Sequence, residues 1–295
     1  MNAIETMKSL TFGTELEYTG IKREQAAHEI QKVVGGIIRY AGTGYQTWEV
    51  VASDGRVWKA MRDGSLGYDG GCEVVTPVLR WEDMETLQEV VRALRKAGAK
   101  ATSATSQHVH VGAQNFSAAQ IANLAKMFYK QEELILKAAG TWEHRLGHFA
   151  ARLDAAFITR LNATRDLNNL TLNQAWFGRE NLNPHHYDSN RYHDLNLNNI
   201  WRTGTIEFRL FNGTTHAGEV KAHIIFALAL AAKALNAKCA SSKNRREYSE
   251  ASAKYDTRVF LLSLGLIGDE FKNTRMHLLK HLPGSAAWKN AQQAA

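Results

Sequence analysis

Two glutamates one residue apart, Glu15 and Glu17 in the run Phe12-Gly13-Thr14-Glu15-Leu16-Glu17-Tyr18, are the residues whose types and spacing most directly call for chemistry. In a β-strand successive side chains alternate faces, so positions two apart point the same way. Leu10, Phe12, Leu16 and Tyr18 then form an apolar face, and Thr11, Gly13, Glu15 and Glu17 the other. Adjacent carboxylates repel, and glutamate is a poor strand former. A cation held between them is the simplest reason for the pair; a half-exposed amphipathic strand is the plainer alternative.

The layout recurs twice. In Ser106–Gly112, His108 and His110 share a face while Val109 and Val111 take the other. In Thr205–Phe211, Glu207 and Arg209 lie together, opposite Ile206, Phe208 and Leu210. A solvent-facing strand side ordinarily mixes Thr, Ser, Lys and Gln. Paired acids, paired imidazoles and an acid beside a guanidinium are instead the side chains that hold metals and phosphates.

Glu73, in Cys72-Glu73-Val74-Val75-Thr76-Pro77, is a fourth strand acid, and the glycines before it let the backbone approach a ligand closely. Together Glu15, Glu17, Glu73 and Glu207 supply four negative charges, enough for two divalent cations. Oxygen ligands without thiolates point to Mg²⁺ or Mn²⁺ rather than a structural zinc. His108-Val109-His110 could be half of a zinc site, but no Cys-x-x-Cys or His-Glu-x-x-His partner accompanies it. One imidazole joining a carboxylate-rich site is more natural. Arg209 would then point at whatever the metals hold, where a guanidinium stabilises phosphoryl charge. Cys72 reads as a small buried neighbour, since no base for a thiol nucleophile is evident.

These residues need strands and turns to bring them together. After the first strand, Lys22–Val34 has helical spacing and stops at Gly35-Gly36. Gln46–Ala52 and Arg56–Met61 are expected as strands joined by the hairpin signal Ser53-Asp54-Gly55. A glycine-rich loop from Asp63 to Gly71 leads into the strand of Glu73. Helices are expected over Trp81–Ala97 and over Ser117–Ala139, with Ser117 as N-cap. Asn162–Asn199 holds ten asparagines, too many for continuous helix, and reads as helix ends, loops and one strand around Tyr192–Asn198. A long helix follows over His216–Lys238, a surface excursion over Ser241–Ala253, a helix over Thr257–His281 and a frayed last dozen residues. Strands from separated parts of the chain, joined by hairpins or helical excursions, imply an α+β fold: a curved, mainly antiparallel sheet with helices on its outer face.

With 295 residues and 44% hydrophobic content, the chain can bury a substantial core. No apolar stretch reaches the roughly 18 residues of a membrane span, and the N-terminus lacks a charged-then-apolar leader pattern. Cys72 and Cys239, far apart, give no disulfide framework, which fits a reducing, cytoplasmic setting. The net charge of +7 and pI near 9.3 arise from scattered basic residues, with concentrations at Arg92–Lys100, Arg160–Arg165 and Lys243–Arg246. A nucleic-acid binder would carry a denser stripe or interleaved aromatics. Attraction of anionic substrates explains the charge, and nucleic acid stays an open but unsupported partner.

The ordered set Phe12–Glu17, Asp63–Pro77, Gln107–Val111, Arg191–Leu197 and Ile206–Thr214 resembles the amidoligase family, within the glutamine synthetase and γ-glutamylcysteine ligase superfamily of carboxylate–amine ligases. The resemblance spans about residues 10–235; nothing after Lys238 matches it. It implies a catalytic domain over 1–240, glutamine synthetase-like in its sheet, with 241–295 as a helical extension packed on the same domain. It further implies that Glu15 and Glu17 divide between two Mg²⁺ ions, that Glu73 binds one and His108 the other, and that Glu207 is the last metal-binding acid. His110 would lie near the nucleotide phosphates, Arg209 would contact the transferred phosphoryl group, and Asp63 would reach the first ion through water. Arg191 is implied as a phosphate or substrate contact and Asn196 as a substrate contact. The implied reaction uses ATP to convert a carboxylate into an acyl phosphate, which an amine then converts into an amide or isopeptide.

Two rivals stay open: an ATP-dependent phosphotransferase on the same fold, and a basic nucleic-acid-associated module that binds without turnover. The resemblance implies peptides, amino-acid derivatives or other macromolecules as substrates; nothing in the residues themselves names the carboxylate or the amine, and oligomeric state is not legible. Alanine at Glu207 or Arg209 is expected to abolish turnover and leave the protein folded, because strand-face substitutions away from the core are usually tolerated.

Overall fold

Alternation of apolar residues builds the first long strand, and its neighbours follow from hairpins and one proline-terminated segment. The computed structural model describes residues 2–66, 71–241 and 245–289. In chain order its first elements are α1 (Ala3–Ser9), β1 (Phe12–Thr19), α2 (Arg23–Val34), β2 (Ile37–Tyr40), β3 (Trp48–Val51), β4 (Val57–Met61) and β5 (Gly71–Val75). Next come α3 (Met84–Lys96), β6 (Ser106–Gly112), α4 (Ala118–Ala139), α5 (Glu143–Leu146), α6 (Ala155–Ala163) and α7 (Asn169–Phe177). The chain continues with β7 (Leu195–Asn196), β8 (Thr205–Asn212), α8 (Ala217–Asn236), α9 (Ala253–Ser263) and α10 (Lys272–Leu279). This is an α+β protein with a large, mainly antiparallel sheet.

The chain divides into two compact units. A strand-rich unit comprises Thr11–His110 and Phe211–Ile224; a helix-rich unit comprises Met1–Leu10, Val111–Leu210 and Ile225–Ala295.

In the strand-rich unit the strand order is β2-β3-β4-β5-β1-β6. The pairs β2–β3, β3–β4, β4–β5 and β5–β1 are antiparallel. Phe12, Leu16 and Tyr18 of β1 are buried, as the alternation requires. Helix α3 buries Met84, Leu87, Val90, Val91 and Leu94, a helical stripe, while Glu85, Arg92 and Arg95 stay outside. Each such side chain contributes about 1.5–3 kcal/mol of burial. Gly35 caps α2 at φ 69, and Gly36 at φ 83 passes so close to β3 that a Cβ would lie 1.9 Å from the Val51 carbonyl oxygen. Only glycine fits there. Strand β2 carries no alternation, since Ile37 and Tyr40 are both exposed, and the sequence gives no sign of it.

In the helix-rich unit α4 opens with a reciprocal cap: the Ser117 hydroxyl accepts from the Gln120 N–H and the Gln120 side chain accepts from the Ser117 N–H. It closes on Gly140 in the left-handed region. The part of α8 in this unit is buried nearly all round, with Ile225, Phe226, Leu228 and Leu230 among small alanines. The asparagine-rich segment does contain a helix, α7, because Asn168 caps it through its side chain and Gly178 ends it. The strand expected around Tyr192–Asn198 shortens to β7, which pairs antiparallel with β8, Leu195 against Phe208 and Asn196 against Glu207.

The single helix expected over Thr257–His281 is instead α9 and α10, because Gly265 and Gly268 adopt φ of 90 and 80 and end the first helix. Leu10, expected on the strand's apolar face, is buried but caps α1. Positions 67–70 of the glycine-rich loop, 242–244 in the surface excursion and 290–295 of the end expected to fray lie outside the described residues. Among the described residues no helix is long and apolar enough to cross a membrane.

Candidate functional site

The strand-rich unit gathers three carboxylates. Antiparallel register sets Glu17 on β1 directly against Glu73 on β5. Met61, the last residue of β4, is the partner of Glu73 on the other side, so the chain leaving β4 brings Asp63 alongside. One oxygen from each of Glu17, Asp63 and Glu73 lies within 4.8 Å of the others. Glu17 and Glu73 are 5% and 8% exposed, so water does not screen them fully. Glu17 Oε2 accepts from the Ser106 backbone N–H at 2.7 Å, and Asp63 Oδ1 accepts from the Ser65 N–H at 2.6 Å and from the Ser65 hydroxyl. At Gly71 the absence of a side chain makes room for Leu66, because a Cβ would lie 2.3 Å from Leu66 Cβ. Three oxygen donors of one sign, aimed at one point, could hold a hard divalent cation.

Glu15, on the same side of β1, meets the two strand histidines. His108 Nδ1 is 2.8 Å from Glu15 Oε2, and His110 Nε2 is 3.3 Å from Glu15 Oε1. The other nitrogen of His108 is 3.0 Å from the Ser106 hydroxyl. Burial pushes the Glu15 carboxyl upward, but the charges and hydrogen bonds of His110 and His108 outweigh it and hold Glu15 well below 4.5. The side chain keeps 27% of its surface open, so the ionised oxygens can reach a ligand.

The helix-rich unit holds Glu207 and Arg209 on β8. Arg209 Nη1 donates to Glu207 Oε1 at 2.5 Å. Glu207 Oε2 accepts from the side-chain amides of Asn196 at 2.6 Å and Asn199 at 2.8 Å. Arg209 Nε donates to the Phe149 carbonyl, and its backbone N–H donates to the Asp194 carbonyl at 2.8 Å. Both side chains are buried, which corrects the expectation that alanine at either position would be tolerated as a strand-face change.

Asn196 is 1% exposed and its amide is spent on Glu207, while its Oδ1 accepts from the Asn198 N–H. Arg191 is half-buried, donates to His186 Nε2 at 2.8 Å, and lies over the Tyr192 ring at 5.4 Å. The Arg209 guanidinium lies over the same ring at 5.9 Å.

Several contributors escape a sequence reading. Ser106 precedes the His-x-His pair, yet nothing in its type marks it as the donor to Glu17. Asn199 is hidden among ten asparagines of one segment. A buried acid pair, Glu132 on α4 and Asp194 before β7, also went unmarked; both are 0% exposed. Glu132 accepts from the Leu153 N–H at 2.7 Å and faces Arg245 Nε at 2.7 Å. Burial, then the neighbouring Glu132 charge, raises the Asp194 carboxyl well above 3.8. Cys72 is fully buried, and burial lifts its thiol to about 12 despite Arg23, so it is no nucleophile at neutral pH.

Comparison with known proteins adds a family. The profile of the family described as "Putative amidoligase enzyme" matches residues 8–231. Among solved structures, the chain is similar to a bifunctional glutathione synthetase from Pasteurella multocida at 11% identity and a TM-score of 0.40. The alignment covers 95% of this chain and 48% of that one, so the chain spans about half the length of that protein. No curated protein matches.

Proposed function

The chain belongs to the amidoligase family, and from that premise we propose that it is an ATP-dependent carboxylate–amine ligase forming an amide or isopeptide bond through an acyl phosphate. The observation that carries the proposal is the meeting of Glu17, Asp63 and Glu73, whose oxygens lie within 4.8 Å of one another. Three carboxylates so close, two of them nearly buried and Asp63 half-buried, are unfavourable by themselves and favourable around a cation. The all-oxygen donor set suits Mg²⁺, with Mn²⁺ as the alternative ion. In this reading Glu15 and His108 serve a second ion, Glu207 is the remaining metal-binding acid, and the sheet is of the glutamine synthetase catalytic type. Residues 1–240 form the catalytic portion and 241–295 a helical extension.

Bound magnesium would neutralise and orient the nucleotide phosphates. The chain's own groups do the rest. His108 and His110 keep Glu15 ionised, so it stays a ligand rather than an acid. The amides of Asn196 and Asn199 fix the Glu207 carboxylate. Arg209, held by Glu207 and the Phe149 carbonyl, presents a guanidinium to the phosphoryl group, and His110 and Arg191 add polar contacts for phosphate or substrate. A substrate carboxylate oxygen attacks the γ-phosphorus of ATP, and ADP leaves with the bonding electrons. An amine nitrogen then attacks the acyl carbon, phosphate departs, and the amine sheds a proton. Positioning and preorganised charge supply the acceleration, so no protein nucleophile is required. Peptides or other macromolecules in the cytoplasm are the proposed source of carboxylate and amine.

Hydroxylamine tests this directly, because it captures an acyl phosphate as a hydroxamate. With ATP, Mg²⁺ and a panel of carboxylates that includes L-glutamate, acetate and the peptide Gly-Glu, ADP and hydroxamate are expected in equal amounts for at least one member. A stable phosphorylated product without hydroxamate would convert the assignment to a phosphotransferase. Absence of ADP throughout would end it.

A further inference from the structure

Residues 138–220 contain eight arginines and no lysine, whereas the rest of the chain carries seventeen lysines and eleven arginines. The stretch includes β7, β8, Glu207 and the asparagine-rich segment. Positive charge alone does not require this choice, since Arg165 and Arg179 are exposed and either cation would be solvated there. The two side chains differ in reactivity. A lysine amine can lose its proton and attack a carbonyl; a guanidinium stays charged and offers a planar fork of donors.

Three of the arginines are linked to Glu207 within the helix-rich unit, one directly and two through a neighbour. Arg209 pairs with it at 2.5 Å. Arg202 Nη1 donates to Asn199 Oδ1 at 3.1 Å, and the amide of that same Asn199 donates to Glu207. Arg191 shares the Tyr192 ring with Arg209. Each is suited to hold an anion, and none is an acceptor for an activated acyl group.

We propose that the surface formed by the part of this stretch in the helix-rich unit, where Arg191 and Arg202 are linked to Glu207 through Tyr192 with Arg209 and through Asn199, receives the activated acyl group, and that its lack of lysine keeps the protein from capturing that group in place of the amine substrate. The inference rests on the ligase reading above. It requires that a lysine introduced there become an acceptor. Its Nζ, as the neutral amine, would attack the acyl carbon, forming a C–N bond as the C–O bond to the phosphate breaks. Phosphate leaves with the electron pair and the nitrogen gives up a proton, leaving an amide on the enzyme. ATP supplies the phosphoryl group, as in normal turnover.

The test compares wild type, Arg191→Lys, Arg202→Lys and, as control, Arg92→Lys on α3. Each is incubated with ATP, Mg²⁺ and the same three carboxylates, without added amine, and read by intact mass and peptide mapping. At least tenfold more acylation than in wild type is expected in Arg202→Lys or Arg191→Lys, mapped to the substituted position, with none at position 92. If wild type makes hydroxamate and neither variant is acylated, the inference is overturned and the ligase reading stands. If wild type makes no hydroxamate from any of the three, the ligase reading fails and takes the inference with it. Equal acylation of Arg92→Lys would mean that released acyl phosphate reacts at random, which also overturns the proposal.

Discussion

Glu17 and Glu73 stand opposite each other in the antiparallel register of β1 and β5, both nearly buried, with Asp63 as a third carboxylate at the same point. Like charges directly across a ladder destabilise a sheet, and burial sharpens the repulsion by thinning the water between them. A protein optimised for stability alone would put a threonine or a valine at one of these positions. On the proposed reading, the pair marks a place where stability is given up for a cation.

That trade fixes the sign of a substitution. Glu73→Gln keeps the shape and removes one charge, so without divalent ions it should be more stable than wild type, by up to about 1 kcal/mol. In Mg²⁺ the order should reverse. At a hundred times its dissociation constant, an ion bound only by the folded state adds about 2.7 kcal/mol, and the variant should lose most of that gain. Thermal melts of both proteins in chelator and in Mg²⁺ decide the matter. A variant less stable in chelator, or one that keeps the full Mg²⁺ shift, would remove the carboxylate trio as a metal site.

Glu207 and Arg209 should behave as one unit. Replacing either by alanine strands the other as a buried charge, which typically costs about 3–5 kcal/mol. The double replacement, Glu207→Ala with Arg209→Ala, should cost clearly less than the sum of the singles. Denaturant unfolding of the four proteins measures the coupling, and simple additivity would contradict the buried pair. For activity, Arg209→Lys is the more informative change. It keeps the charge but loses the fork, and hydroxamate formation should fall by orders of magnitude with the fold intact.

Much of this site can be read from period-two alternation. Glu15 with Glu17, His108 with His110 and Glu207 with Arg209 announce themselves because each strand buries its other face: Leu16, Val109 and Phe208 are all core. Alternation is local, however, and says nothing about which strands pair. The residues alone suggest Glu73 as a further acid for the site, but its opposition to Glu17 depends on register, and Asp63, whose approach depends on the chain's course after β4, enters only through the family resemblance. Strand β2 was invisible because its residues are exposed on both sides. Where α9 ends, Gly265 was present as a stop signal, but the apolar spacing on either side of it reads as one helix. The acid pair Glu132 and Asp194 could not be foreseen, since each looks like an ordinary surface carboxylate until folding places both at 0% exposure.

The pair has a pH signature of its own. Burial, then the Glu132 charge, raises the Asp194 carboxyl well above its ordinary 3.8, and burial raises Glu132 above 4.5 although Arg245 pulls it back. Above pH 4 the unfolded chain therefore gives up a proton that the folded chain retains, so stability from this group falls as pH rises toward the folded-state value. Asp194→Asn, which can still accept from the Leu195 N–H, removes the titration. The variant should match wild type near pH 3 and exceed it at pH 7. Unfolding free energies across that range test this, and a variant less stable than wild type at pH 7 would mean that Asp194 is ionised in the folded protein.

Cysteine chemistry supplies the last prediction, and it bears on mechanism. A thiol lifted to about 12 by full burial is almost wholly protonated at pH 8, and no reagent reaches it in the folded state. Cys239 is exposed. Iodoacetamide at pH 8 should therefore add to Cys239 alone, and Cys72 should react only after denaturation. Cys72→Ala should cost core packing and little else, so its hydroxamate formation should stay within a few-fold of wild type at a temperature where it remains folded. A thiol intermediate would demand the opposite on both counts: fast alkylation at Cys72 and loss of turnover by orders of magnitude. The direct phosphoryl route through the carboxylate substrate predicts neither, because the groups that matter to it are the acids and the guanidinium, with the sulfur beside Glu73 serving only to fill space beneath the strand.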